Sequence, residues 1–184
     1  MSNAYLGTYS GKCVDVLDPK PEDIDIVDIA RGLSNLCRFG GQLKRFYSVA
    51  EHSIWVSKMV PPELALQALM HDAPEAYLVD LPTPIKRNLP LYYEIEHKLH
   101  VVIAERFGYD PAMPEEIKIA DARMCATETH ALQNHTDAVR KVWGDFFDKY
   151  PPYTEVQISP LEQYSSSPRS MRSLFMERFQ CLSQ

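Results

Sequence analysis

The sequence lacks the features of several large classes of protein. No apolar run approaches the roughly 18 residues that a membrane-spanning helix needs, and no basic stretch followed by an apolar one predicts a secretion signal. The four cysteines, Cys13, Cys37, Cys125 and Cys181, form no CxxC pair or other paired spacing, which predicts buried free thiols in a reducing compartment. We therefore expect a cytoplasmic protein with no membrane partner.

Positive charge is also scarce. Nineteen Lys and Arg residues against 25 Asp and Glu residues give a formal net charge of -6 at pH 7. A surface of this kind disfavours a nucleic acid polymer as partner, although a local pocket for a small phosphate ligand is compatible with it. No GxxxxGK[ST] loop is present, which argues against a kinase or ATPase. A Cys-His nucleophile pair is likewise unsupported.

The remaining patterns fit one domain of ordinary size. The chain has 184 residues, of which 45% are hydrophobic and 24% charged, so it can bury a core. A turn signal at Ser10-Gly11 predicts an N-terminal β-hairpin over about residues 5–17. Later apolar residues recur at the helical period. The predicted helices are residues 26–36, about 48–59, 64–70, 91–107, one from about 114 and one over about 168–182.

These elements predict an all-α bundle of residues 1–184 with a short hairpin and no internal repeat. The connection over 144–160 is rich in proline and aromatic residues, and we expect it to be irregular. The last helix is apolar on one face. That face either packs on its own bundle or forms the interface of a homodimer.

Four polar residues lie where the helical patterns call for apolar ones: His52, His71, Asp72 and Asp121. Each alone has a plain explanation as a hydrogen-bonded core histidine, a helix cap or a surface charge. Together they would bring two imidazoles and two carboxylates into one interior, which is costly unless a divalent cation compensates. This donor set suits Mn²⁺, Fe²⁺, Co²⁺, Ni²⁺ or Zn²⁺ better than Ca²⁺.

Other charged residues are candidates for chemistry beside such an ion. Glu75 follows His71 by four residues, and a carboxylate there can orient a metal-bound water or take its proton. Asp80 either has a chemical role or caps the turn that follows it. Arg38, at the start of a glycine-bearing loop, is a candidate phosphate clamp. Lys86 is a weaker one.

Three further basic residues are explained more simply without a role in binding or catalysis. We expect Arg45 to be solvated, as we do Lys86. His97 and His100, spaced i and i+3, are an alternative second metal site, but a solvated helix face explains them more simply.

The order of the polar residues resembles a known signature. His52, then His71-Asp72, then Asp121 match the H…HD…D pattern of the HD-domain metal-dependent phosphohydrolases. The runs SVAEHS (48–53), HDAPE (71–75) and DLPTPIK (80–86) are similar to those of bacterial HD-domain 5′-deoxynucleotidases and their prophage-encoded relatives. The resemblance covers about residues 26–128, so the hairpin and the last helix lie outside it.

The resemblance implies a role for each candidate. One divalent ion (Mn, Co, Fe, Ni, Zn or Mg) would be held by His52, His71, Asp72 and Asp121. Glu75 would activate the attacking water, Asp80 would act on the substrate or leaving-group side, and Arg38 would hold the 5′-phosphate. Phe39 stands where the deoxynucleotidases carry tryptophan. Phenylalanine keeps the apolar wall but lacks the N–H donor, which leaves the preference for deoxyribose over ribose open.

We predict an enzyme that removes the 5′-phosphate from (deoxy)nucleoside monophosphates. Alternative substrates are a nucleoside triphosphate, a guanosine polyphosphate alarmone or a cyclic nucleotide. The absence of an obvious basic cluster favours a monophosphate. A non-catalytic nucleotide-binding or interaction module is a further alternative, against which the presence of both Glu75 and Asp80 argues.

Overall fold

The computed structural model describes residues 4–160 and 166–184. Two strands, β1 (Tyr5–Gly7) and β2 (Cys13–Asp15), pair antiparallel, with Leu6 opposite Val14. The described residues also form ten α-helices: α1 (Ile26–Asn35), α2 (Val49–Val56), α3 (Ala65–Leu69), α4 (Glu75–Leu78), α5 (Thr83–Lys86), α6 (Pro90–Phe107), α7 (Glu115–Leu132), α8 (Asp137–Trp143), α9 (Phe146–Lys149) and α10 (Pro168–Leu182). The all-α fold with an N-terminal hairpin is confirmed.

Helix ends lie where the sequence places capping residues. The Ser48 hydroxyl accepts a hydrogen bond from the amide of Glu51 at 3.1 Å and starts α2. Gly108 ends α6 in the left-handed conformation, with φ at 72°. Ser48 and Glu51 have the spacing of a capping box, but only half of it forms. The Glu51 carboxylate pairs instead with Arg45, 3.2 Å away.

The third helix is shorter than predicted, and this changes the setting of His71. Helix α3 ends at Leu69, and residues 70–74 form turns before α4 starts at Glu75. Pro74 has no amide hydrogen to continue the helical pattern, so the chain turns there. His71 therefore lies in a turn after α3 and not on a helix face.

The connection over 144–160 also departs from prediction, because α9 lies within it, and α8 directly precedes it. The cysteines depart in a different way. All four are free, as predicted, but Cys13 and Cys181 are exposed, not buried. Among the described residues, no helix combines the length and apolar character needed to cross a membrane.

Two apolar clusters hold the helices. The larger unites α1, α2, α4, α6 and α10, and it includes Met171 and Phe175 of the last helix. The apolar face of α10 thus packs on its own bundle. The smaller cluster joins Val56 of α2, Ala68 of α3 and Met124 of α7. Because the metal-site candidates lie on or directly after these three helices, the smaller cluster sets their relative position.

Gly32 allows α1 and α4 to approach closely. A Cβ at Gly32 would lie 2.8 Å from the Ala76 Cβ and 2.9 Å from its Cα and O atoms. We expect Gly32→Ala to lower the free energy of unfolding by about 1–2 kcal/mol, because overpacking against backbone exceeds the gain in helix propensity. Urea denaturation measures this. Gly7→Ala is the control, since a Cβ at Gly7 meets nothing within 4 Å; equal stability of the two variants would contradict the prediction.

Candidate metal centre

Two helices and the turn after a third bring the four predicted ligands together. The Nε2 atoms of His52 and His71 lie 3.3 Å apart. Asp72 Oδ2 lies 3.2 Å from His71 Nε2 and 3.7 Å from His52 Nε2. Asp121 Oδ1 lies 3.1 Å from His52 Nε2 and 3.9 Å from His71 Nε2. Residues from α2, the turn after α3, and α7 thus converge on one point.

Three of these residues form a group that could hold a metal ion. The ligand atoms of His52, His71 and Asp72 all lie within 4.8 Å of one another. Asp121 contacts both histidines but is the most open of the four, with 44% of its side chain exposed. It therefore lies on the side of the group that faces solvent.

The outer nitrogen of each histidine has a fixed partner. His71 Nδ1 lies 2.7 Å from the Ala68 carbonyl, which only accepts, so this nitrogen carries a hydrogen. His52 Nδ1 lies 2.6 Å from Glu128 Oε1 and donates to that carboxylate. Both Nε2 atoms consequently face each other and the carboxylates of Asp72 and Asp121. Two facing imidazole lone pairs require a proton or a cation between them, so the donor set fits a metal ion.

The charges of the site favour a cation in the same place. Burial disfavours a charged His52, but Glu128 and Asp121 outweigh it and raise the pKa of His52 to about 9. The pKa of His71 is raised, against burial, by Asp72 and Asp121. Despite burial, the two histidines lower the pKa values of both aspartates below their usual range. The site therefore holds ionised carboxylates and stabilises positive charge.

Glu75 is the buried carboxylate beside this group. Its Oε1 lies 3.8 Å from Lys86 Nζ, whereas its Oε2 has no hydrogen-bond partner within the described part of the chain. Burial, reinforced by the charges of Asp72 and Asp80, raises the pKa of Glu75 well above its usual value. A buried carboxylate oxygen without a partner can accept a hydrogen bond from a ligand or a water.

Lys86 is not solvated as predicted. Its side chain is 15% exposed, and its ammonium lies 2.5 Å from Glu96 Oε1 and 3.8 Å from Glu75 Oε1. The reason is topological, since α5, which carries Lys86, packs on α6, which carries Glu96. Arg45 also differs from prediction: it is buried, and it pairs with Glu51 and donates to the Ser159 carbonyl at 2.8 Å.

The histidines of α6 divide into an exposed and a buried one. His97 lies on the solvated face, as predicted, but His100 is buried against the Tyr109 ring, with 5.8 Å between the ring centroids. Burial and neighbouring histidines lower the pKa of His100 to about 4. His100 is therefore a neutral core residue. Among the described residues, no metal group includes it.

Arg38, the predicted phosphate clamp, contacts the metal group. Its Nη1 lies 3.4 Å from Asp72 Oδ2, and its Nε donates to Glu128 Oε2 at 3.0 Å. The adjacent Phe39 ring lies under the guanidinium, with its centroid 5.4 Å from Cζ. Phe39 has a φ of 56°, which is sparsely populated by aromatic residues and typical of functional sites.

Asp80 follows a second strained residue. Val79 has φ 71° and ψ 156°, a region that is almost restricted to glycine. The Tyr92 hydroxyl donates to the Val79 carbonyl at 2.6 Å and holds this peptide in place. Burial raises the pKa of Asp80, and Arg38 opposes that shift. The strained turn thus brings Asp80 close enough to interact electrostatically with Arg38 and with the metal group.

Sequence reasoning missed Glu128. It is completely buried on α7 and contacts both Arg38 and His52. A signal existed, because Glu128 follows Asp121 by seven residues, which is two helical turns and therefore the same face. Its pKa is lowered by Arg38 and His52 against the effect of burial, so it is an anion inside the core.

A cavity of about 220 Å³ adjoins the site at His71. Helix α6 contributes half of its lining residues, and the turn between α3 and α4 and the segment before α7 contribute the others. The lining residues include Pro74, Tyr93, Glu96, His97 and Met113.

Comparison with known proteins gives the chain a family. It is 42% identical over 182 residues, covering 98% of this chain and 97% of the relative, to the "Uncharacterized protein YfdR" of Escherichia coli strain K12. The chain belongs to the YfdR family. A second relative, the "Uncharacterized protein RCAP_rcc00048" of Rhodobacter capsulatus, is 39% identical over 130 residues, 65% of this chain and 66% of the relative. No protein-family model matches the chain.

Proposed function

We propose that the protein is a metal-dependent phosphohydrolase of the HD type that removes the 5′-phosphate from (deoxy)nucleoside monophosphates. The convergence of His52, His71, Asp72 and Asp121 on one point is the observation that carries the proposal. The resemblance of the H…HD…D order to the HD phosphohydrolases supports the reaction class. The names of the YfdR-family relatives give no activity.

His52, His71, Asp72 and Asp121 would hold one divalent ion. When bound, the ion supplies Lewis-acid stabilisation of a phosphoryl oxygen and a water of lowered pKa. The rest of the chemistry belongs to side chains. Fixing both imidazoles through their outer nitrogens keeps the ligand atoms aimed at one point without reorganisation during the reaction.

Glu75 would orient the attacking water and accept its proton. Its Oε2 is buried and free of hydrogen bonds among the described residues, so no described protein group competes with a water for this oxygen. Lys86, 3.8 Å from Oε1, holds the carboxylate in one direction. A base placed by its neighbours before substrate arrives is worth about 10²–10⁴-fold in rate.

Arg38 would bind the phosphate. Glu128 and Asp72 hold its guanidinium through Nε and Nη1, which leaves Nη2 to donate to a phosphate oxygen. Asp80 would act on the sugar or leaving-group side. The cations at the site, Arg38 and Lys86, are already paired with carboxylates, which favours one phosphate group over a polyphosphate.

The organic part of the substrate needs a place beside the phosphate. The cavity at His71 measures about 220 Å³ and includes Tyr93, which is 42% exposed. An exposed aromatic ring in a cavity suits a nucleobase, because base stacking on such a ring is worth about 1–3 kcal/mol. Phe39, which follows Arg38 in the same loop, would contact the sugar.

Phosphate release from the eight ribo- and deoxyribonucleoside 5′-monophosphates tests the proposal. Each substrate is assayed with Mn²⁺, Co²⁺, Mg²⁺ and Zn²⁺, and deoxyribose 5-phosphate reports the contribution of the base. We expect orthophosphate from monophosphates with at least one of these metals. Release of pyrophosphate or triphosphate from other nucleotides would replace the monophosphate proposal with a polyphosphate one. No turnover of any nucleotide would favour a binding module.

A further inference from the structure

We propose that Glu128 is a positioning residue that fixes His52 and Arg38 at once, and so couples the metal site to the anion site. This inference rests on the proposed metal binding but not on the proposed substrate. Glu128 is completely buried in the core of the bundle. A carboxylate is rarely buried without partners, because its desolvation is costly.

Each oxygen of Glu128 has its own partner. Oε1 accepts from His52 Nδ1 at 2.6 Å, and Oε2 accepts from Arg38 Nε at 3.0 Å. The first contact keeps the hydrogen of His52 on Nδ1 and leaves Nε2 as the ligand atom. The second turns the guanidinium so that Nη1 faces Asp72, 3.4 Å away. One buried side chain therefore orients residues of two different functions.

The three residues come from separate parts of the chain, which is why one side chain is needed to align them. Arg38 lies in the turn after α1, His52 lies on α2, and Glu128 lies on α7. Arg38 begins a short 3₁₀ helix, Arg38–Gly41, whose phenylalanine is strained at φ 56°. The backbone of this loop is held by other contacts, such as the Arg38 amide donating to the Tyr47 carbonyl at 2.9 Å, so the contact with Glu128 serves to orient the Arg38 side chain toward the metal group.

Glu128→Gln distinguishes this role from simple packing, because glutamine has nearly the same shape but one acceptor oxygen. Arg38 Nε always carries hydrogen, whereas His52 can change tautomer. The amide oxygen therefore turns to Arg38, and the amide N–H₂ turns to His52 Nδ1. This moves the imidazole hydrogen to Nε2 and blocks the ligand atom.

We expect Glu128→Gln to bind Zn²⁺ about 10–100-fold more weakly than the wild type, measured by competition with a chromophoric chelator. Glu51→Gln is the matched control, because it removes a half-buried carboxylate on the same helix as His52 that pairs with Arg45 and is not a member of the metal group. Its Zn²⁺ affinity stays within about twofold of the wild type. Equal affinities of Glu128→Gln and the wild type would overturn the proposal.

A measurement on the wild type covers the case in which Glu128→Gln fails to fold. In ¹⁵N NMR spectra of the zinc-loaded protein, we expect His52 to carry its hydrogen on Nδ1, protected from exchange with water. A hydrogen on Nε2, or a zinc-bound Nδ1, overturns the proposal. If zinc binds as expected but no nucleotide is hydrolysed, the phosphohydrolase proposal fails and this one stands.

Discussion

Replacement of Glu75 by glutamine is expected to lower the rate of phosphate release by about 10²–10⁴-fold, with the metal content per chain unchanged. Glutamine keeps the volume of the side chain but cannot accept a proton from water. Because Glu75 lies outside the group of His52, His71 and Asp72, its loss does not remove a ligand. The measurements are kcat for the best nucleotide and metal content by elemental analysis.

A control variant shows whether Glu75 acts as a base or only as a structural carboxylate. Glu105→Gln, on the exposed face of α6, is the control and retains wild-type kcat. A Glu75→Gln variant as active as this control would remove Glu75 from the mechanism. A variant that is inactive and also lacks metal would assign Glu75 to ion binding instead.

Replacement of His71 by alanine is expected to abolish metal binding, with at least about 100-fold loss of affinity, and to reduce activity to background. The Ala68 carbonyl fixes His71 Nδ1 and so directs Nε2 into the site, whereas alanine offers no donor atom at this position. Isothermal titration with Mn²⁺ or Zn²⁺ measures the affinity. Activity of the wild type after removal of metal by a chelator, and after its return, gives the same comparison without a substitution.

The stability of the protein measures metal binding independently. A saturating metal that binds only the folded protein raises the free energy of unfolding, by about 2.7 kcal/mol at a concentration 100 times its Kd. We expect this increase in the wild type and in His130→Asn, whose histidine is exposed on α7, but not in His71→Ala. A metal-dependent increase in His71→Ala would show that the ion binds elsewhere.

His52 and Asp121 of the candidate metal centre could be predicted from sequence because helical periodicity carries the information. His52 and Asp121 each interrupt an apolar face, and helices α2 and α7 form as their patterns predict. The smaller apolar cluster then brings these faces together. Hydrophobic spacing thus fixes both the helix and the direction in which its misplaced polar residue points.

Long-range polar contacts could not be predicted in the same way. Glu128 and Arg38 are 90 residues apart, and nothing in the local pattern of either indicates the other. The burial of Lys86 depends on the packing of α5 on α6. The strain at Val79 likewise comes from tertiary contacts, because a β-branched residue gives no local preference for positive φ.

Anomalous diffraction from a crystal of the Co²⁺-loaded protein, recorded at the cobalt edge, tests the central claim most directly. We predict one strong peak between the Nε2 atoms of His52 and His71, within bonding distance of the carboxylates of Asp72 and Asp121. A peak that is absent from this position, or one that lies against other residues, would contradict the metal centre and the reaction proposed from it.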